Sequence, residues 1–231
     1  MSVGTSSPNE TADAGLAARL RGFGGVGIGA LLIIFLGALV WMPVAAALIL
    51  AWAWCSRTPR DEIGLARPRS WIGGALVGAV LGVTLKFAMK AIVLPLLGAP
   101  AVPHNVLHDQ AIRPLDALSL AAYTIYGGGF AEELFFRGYL FERIGKLVGR
   151  QPAATLAALV VSTGLFSAGH WQQGGFGMIH AAFTGVVLGS VYLIAGRKLW
   201  VAMVTHAAFD LASVALIYFN LEAQVAHLVF R

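Results

Sequence analysis

Six ionisable residues stand inside apolar stretches of this 231-residue chain: Glu132, Glu133, Arg137, His170, His206 and Asp210. A charge at the centre of a membrane-inserted helix costs about 2.5–3.5 kcal/mol, so such a residue is read first as functional. In E132-E133-x-x-x-R137, Glu133 and Arg137 are four apart, on one helical face, in the favourable acid-before-base order. Glu132 points about 100° away. Its positions three and four onward are Phe135 and Phe136, so it has no local partner. The spacing therefore separates a structural pair, Glu133 with Arg137, from a free carboxylate, Glu132. F166-x-x-x-H170 puts a ring and an imidazole on one face. In H206-x-x-x-D210 the acid can hold the imidazole, or both can present polar atoms to one point. A carboxylate and imidazoles of this kind can bind a water and take its proton. The bland alternatives are an ion pair at a helix end for Glu133–Arg137 and a satisfied polar residue for His170. His104, His108 and His227 fall in loops or tail and are read as solvated. His180 is read as structural.

The elements that must position these groups follow from composition. The chain is 58% apolar and 12% charged, with mean hydropathy +0.77. One core of this size cannot hide so much apolar surface, and so few charges exclude disorder. The expectation is an all-α, polytopic transmembrane helix bundle of six to seven spans. Residues 1–22 read as a flexible polar tail, 23–115 as N-terminal transmembrane helices and loops, 116–219 as the core, and 220–231 as a C-terminal tail. Residues 24–54 are too long for one span and too short for two full ones, so one long helix and a tight hairpin at Trp41–Pro43 both remain open. Lys86 and Lys90, one turn apart near the end of the following span, are expected to snorkel toward headgroups.

Basic residues number four in 56–70, one in 98–115, three in 141–151, none in 171–175, two in 196–198 and one in 220–231. The alternation places 56–70, 141–151 and 196–198 on the cytoplasmic side. It also explains the net charge of +5 without nucleic acid, which is not expected as a partner. The single cysteine, Cys55, excludes a disulfide framework and a multi-cysteine metal site.

EExxxR, FxxxH and HxxxD, the last preceded by Trp200, occur in this order on three helices. Together they resemble the signature of the CPBP family. That group comprises type II CAAX prenyl proteases and bacteriocin-processing, immunity-associated and lysostaphin-resistance-like membrane proteases. Residues 61–71, DEIGLARPRSW, are similar to a loop the family carries before its core. The resemblance covers about residues 116–215. One departure is Asp210, where the family often has Asn.

The resemblance implies an intramembrane endopeptidase, multi-pass in the bacterial cytoplasmic (inner) membrane, acting on a membrane-associated protein or peptide within the lipid bilayer. It assigns water activation to Glu132 and His170 and oxyanion support to His206 and Asp210. No convincing serine or cysteine nucleophile competes, since Ser162 and Ser167 lack a motif. The metal question stays open. Glu132, His170 and His206 could ligate zinc with one open position, yet HExxH is absent and each His sits on its own helix. The reading leans to a metal-free water. The substrate, prenylated or not, and the oligomeric state are not fixed by the sequence. Two other classes remain: a proton-coupled transporter using the same groups as a relay, and a non-catalytic membrane scaffold or bacteriocin-immunity protein. A transporter would be favoured by inverted repeats, and the only internal echo, IHAAFT (179–184) against THAAFD (205–210), is too short to be one. One difficulty is depth. Counted from Pro152, His170 lies toward the opposite membrane face from the one near Glu132 and His206.

Overall fold

The computed structural model describes residues 8–102, 113–149 and 152–230. His104 and His108 lie outside the described residues. Helix α1 (Pro8–Arg21) is followed, after a 59° bend, by α2 (Gly25–Val40) and then α3 (Met42–Cys55). Next come α4 (Trp71–Leu96), α5 (114–148), α6 (Pro152–Gly169), α7 (Gly174–Ile194), α8 (Leu199–Tyr218) and the short α9 (Glu222–Ala226). Among the described residues there is no strand.

Residues 8–21 are helical where a flexible tail was expected. Side chains from elsewhere tie down the end of that helix. Arg21 donates to Ser56 O at 2.6 Å and to Arg57 O. Trp52 Nε1 donates to Leu20 O at 3.1 Å. Arg143 donates to Arg21 O and Gly22 O, at 2.9 and 3.1 Å, satisfying carbonyls that a helix end leaves open. Read by sequence, Arg21 and Arg143 carried only topology. Here their guanidinium forks act as C-terminal caps.

The same contacts settle the 24–54 segment as a hairpin. They join the start of α2 to the end of α3, so the chain reverses at Trp41, whose backbone is extended. Pro43, in the first turn of α3, suits a helix start. The legs have 16 and 14 residues, about 24 and 21 Å, each shorter than a bilayer core.

The expected six to seven spans are therefore reduced on the strict measure of length and apolarity. Among the described residues four helices meet it, α4, α6, α8 and Trp171–Ile194, or five if the bent pair α1–α2 counts as one span. The hairpin legs are too short. In α5, five glycines, three tyrosines and seven charged residues dilute the apolar residues. The outward faces remain strongly apolar: Leu39, Ile72, Leu76, Val80, Leu156 and Ile194 are all exposed. Such a continuous apolar exterior belongs in lipid.

Helix α5 is the central element. Leu134, Phe135, Phe136, Tyr139, Leu140 and Phe141 are all buried, so its middle is enclosed on every side. It is wound as π-helix over Thr124–Glu132 and Leu134–Tyr139, a form that concentrates at functional sites. Ser162 Oγ, buried, donates to Phe136 O at 2.9 Å and ties α6 to this segment.

Helices α4 and α8 run parallel and very close. Gly74, Gly78 and Gly82 form a stripe four residues apart. A Cβ there would meet Trp200, Val204 and the Thr205–Phe209 segment, in that order, at 2.3–2.8 Å. This is the small-residue stripe that lets helix backbones approach in membranes.

The three basic connections gather at one end of the bundle. Lys146 pairs with Glu62 at 2.7 Å, Leu199 N donates to Gly64 O at 2.9 Å, and Arg197 donates to Thr155 Oγ1 at 2.9 Å. The 171–175 link and the end of α4 lie at the other end, one helix length away. In a Cys55→Ser background, a cysteine replacing Arg197 is expected to react with an impermeant maleimide only from the cytoplasmic side. One replacing Gly175 is expected to react only from the opposite side. Labelling of position 197 from outside would reverse the orientation.

Candidate active site

Glu133 and Arg137, both fully buried, pair through Oε1 and Nη1 at 2.6 Å. The guanidinium also donates from Nη2 to Gly185 O at 3.0 Å, linking α5 to α7. It lies over the Phe166 ring at 4.8 Å and near that of Phe136 at 5.9 Å. These contacts offset part of the cost of burying the pair, although Glu133 Oε2 and Arg137 Nε find no hydrogen-bond partner among the described residues.

Glu133 does more than the sequence suggested. Its Oε1 also accepts from His206 Nδ1 at 2.8 Å. An ionised carboxylate can only accept, so the Nδ1–H is the donor and Nε2 points away from it. The sequence left two readings for Asp210, as holder of this imidazole or as a second polar group aimed with it at one point. Asp210 Oδ2 stands 3.5 Å from Nε2, on the side of the ring away from Glu133, as in the second reading. Glu132 Oε2 is 3.9 Å from the same nitrogen. Thus His206 is gripped from behind by Glu133 and faces Glu132 and Asp210 in front.

Exposure divides the four groups as the sequence spacing did. The side chains of Glu133 and Arg137 are sealed at 0%, while Glu132 and Asp210 keep 17% and 29% of theirs accessible. Glu132 makes no hydrogen bond among the described residues, which fits a carboxylate left free to engage a small molecule.

His170 closes the α6 helix. Its Nδ1 donates to Phe166 O at 2.8 Å, again leaving Nε2 unengaged. Phe166 is the spacer between the two imidazoles, its ring centroid 4.7 Å from that of His170 and 5.7 Å from that of His206. The depth difficulty dissolves here. Glu132, His170, His206 and Asp210 all line one cavity of about 380 Å³. This cavity runs from the buried carboxylates to the bundle end formed by Pro95–Pro100, Gln173–Gly177 and Glu222. His170 sits nearer that end and Glu132 deeper. Their meeting needs a shared chamber, not a shared depth.

A close approach of α5 to α8 makes the arrangement possible. A Cβ on Gly128 would lie 2.7 Å from Asp210 Oδ2 and 3.6 Å from His206 Nε2. On Gly129 it would meet Ala207 and Met203 O at 2.9–3.0 Å. The triple glycine just before Glu132 is visible in the sequence. Its role at the site is not, because the partner helix is some 80 residues away. Ser162 and Ser167 both donate to backbone carbonyls, of Phe136 and Met178, which fits their exclusion as nucleophiles. Among the described residues, no group of three His, Cys, Asp or Glu side chains is gathered closely enough to hold a metal ion. Glu132, His170 and His206 thus do not form a three-ligand site as placed.

Comparison with known proteins found no match among curated proteins and none among solved structures. Residues 114–212 match the model of one protein family, Rce1-like, described as type II CAAX prenyl endopeptidase Rce1-like. The match begins at the first residue of α5 and ends just after Asp210, so it takes in Glu132, Glu133, Arg137, His170, His206 and Asp210. The helices outside it, α1 to α4, supply the packing described above. Residues 114–212, somewhat under half of the chain, are thus similar to the Rce1-like type II CAAX prenyl endopeptidases, a family of peptidases, and the protein that carries them is an integral membrane protein.

Proposed function

We propose that the protein is an intramembrane endopeptidase that hydrolyses a peptide bond of a membrane-associated protein or peptide. The observation that carries this is the convergence of Glu132, His170, His206 and Asp210, from three helices, on one chamber. In this mechanism Glu132 and His170 Nε2 hold a water between them, and Glu132 takes its proton as the water attacks the scissile carbonyl. His206, protonated at Nε2, donates to the oxygen of the tetrahedral intermediate. Glu133 balances that positive charge and fixes the ring. Asp210, in protonated form, offers a second hydrogen bond. Glu132 then returns its proton to the leaving amine. Every proton taken is given back, and no cofactor is consumed.

The reading extends to the membrane. With both hairpin legs and α5 inserted beside the four long helices, the chain crosses seven times, within the six to seven expected, in the bacterial cytoplasmic membrane. Residues 116–219 form the catalytic core.

The test is purified protein in detergent with a panel of membrane-protein and prenyl-peptide substrates, wild type against Glu132→Ala. Glu132-dependent cleavage supports the proposal, and its absence across the panel counts against it. The same preparation decides the metal question. Full activity at well under one zinc per chain is expected. About one zinc per active chain, lost together with activity on chelation, would replace the metal-free water with a metal-bound one.

A further inference from the structure

Lys86 continues the stripe Gly74, Gly78, Gly82 by one more turn, on the face of α4 that packs against α8. The stripe therefore aims its side chain at the next level of α8. There Nζ lies 5.1 Å from the Phe209 ring centroid, and Phe209 precedes Asp210. Lys86 was expected to snorkel to headgroups. It instead lines the same chamber as Glu132, His206 and Asp210. Lys90, one turn on, lines it too, but its charge is engaged: Nζ is 3.0 Å from Glu222 Oε1, and both residues are buried. Among the described residues no carboxylate comes within ion-pair distance of Lys86: Asp210 and Glu222 act on its charge from farther off, and its direct contact is the face of Phe209.

An ammonium inside a membrane protein calls for a direct anionic partner; the chamber's own carboxylates, Glu132, Asp210 and Glu222, do not pair with Lys86 directly, and an aromatic face is a weak substitute. We infer that Lys86 is the carboxylate-binding residue of this chamber and holds a carboxylate of the peptide substrate close to the bond being cut. The inference rests on the peptidase reading above. A C-terminal carboxylate and an acidic side chain offer the same chemistry. A bound C-terminus would confine cleavage to the last few residues of the chain, because an extended peptide advances only about 3.3–3.6 Å per residue.

The test measures binding and cleavage separately. Fluorescent peptides are made in matched sets: free C-terminus against C-terminal amide, and internal Asp against Asn. Affinity is measured by anisotropy on the full chain carrying Glu132→Gln, so that nothing is cut, and cleavage is followed on otherwise wild-type protein. The free acid, or the Asp peptide, is expected to bind at least tenfold tighter than its neutral twin. Lys86→Met should erase that ratio, Lys86→Arg should keep most of it, and both should elute and melt like the parent. In cleavage, the loss in Lys86→Met should fall mainly on KM. The set that shows the ratio tells a terminal carboxylate from a side chain. Charge-dependent binding without cleavage would sink the peptidase reading and leave the subsite standing. Cleavage that depends on Glu132 but is indifferent to peptide charge would overturn the subsite alone. So would a Lys86→Met protein with an unchanged ratio, or a ratio abolished only by phosphatidylglycerol, which would assign Lys86 to a lipid phosphate.

Discussion

Glu132→Gln is expected to lower the turnover rate by about 10²–10⁴-fold, the usual contribution of a positioned general base. Thermal stability should stay close to wild type. The substitution keeps shape and hydrogen-bonding reach, and Glu132 makes no hydrogen bond among the described residues that the fold would lose. Its nearest charged neighbour is His206 Nε2 at 3.9 Å, beyond hydrogen-bond range. The measurement is kcat with a cleaved substrate, beside a melting curve. Retained turnover would remove Glu132 as the base. A large drop in melting temperature would make it a structural residue.

The companion result concerns Glu133. Glu133→Gln is expected to destabilise by about 3–5 kcal/mol, because it leaves the Arg137 guanidinium buried at 0% exposure without its countercharge. Adding Arg137→Met removes the stranded charge and should restore most of the lost stability. Activity should not return with it. Glu133 Oε1 also accepts from His206 Nδ1 at 2.8 Å, and the neutral pair no longer offers the carboxylate that balances a protonated imidazole. A double variant no more stable than Glu133→Gln would disprove the pairing energetics. One that regains full turnover would show that His206 needs no carboxylate behind it.

The sequence was most legible where one helix carries the whole signal. Glu133–Arg137 is an i, i+4 pair in the sequence and an ion pair in the fold, and the separate direction of Glu132 likewise follows from helix geometry. The basic loops at one end of the bundle could be read from charge alternation alone. What escaped were relations between helices. Nothing local says that Glu133 meets His206, 73 residues later, or that Phe166 spaces two imidazoles. The spacing of His206 and Asp210 left open whether that acid holds the ring or faces one point with it. An i+4 neighbour can approach a ring from either side, and here the inner side was already taken. Lys86 was misread for a similar reason. Distance from a helix end suggested the interface, while the glycine stripe, equally visible, decided the direction.

Both imidazoles are fastened at Nδ1, His206 to a carboxylate and His170 to the carbonyl of Phe166. Behind His170 stands a carbonyl, which cannot take a proton, and behind His206 stands Glu133, sealed at 0% exposure and already paired with Arg137, so each ring has a single door, its Nε2. A proton that enters by the door must leave by it, and none can be threaded through a ring to the interior behind. A conducting relay needs rings that load on one side and unload on the other. These two are dead ends, suited to lending a proton and taking it back within one chamber, not to carrying one across the membrane.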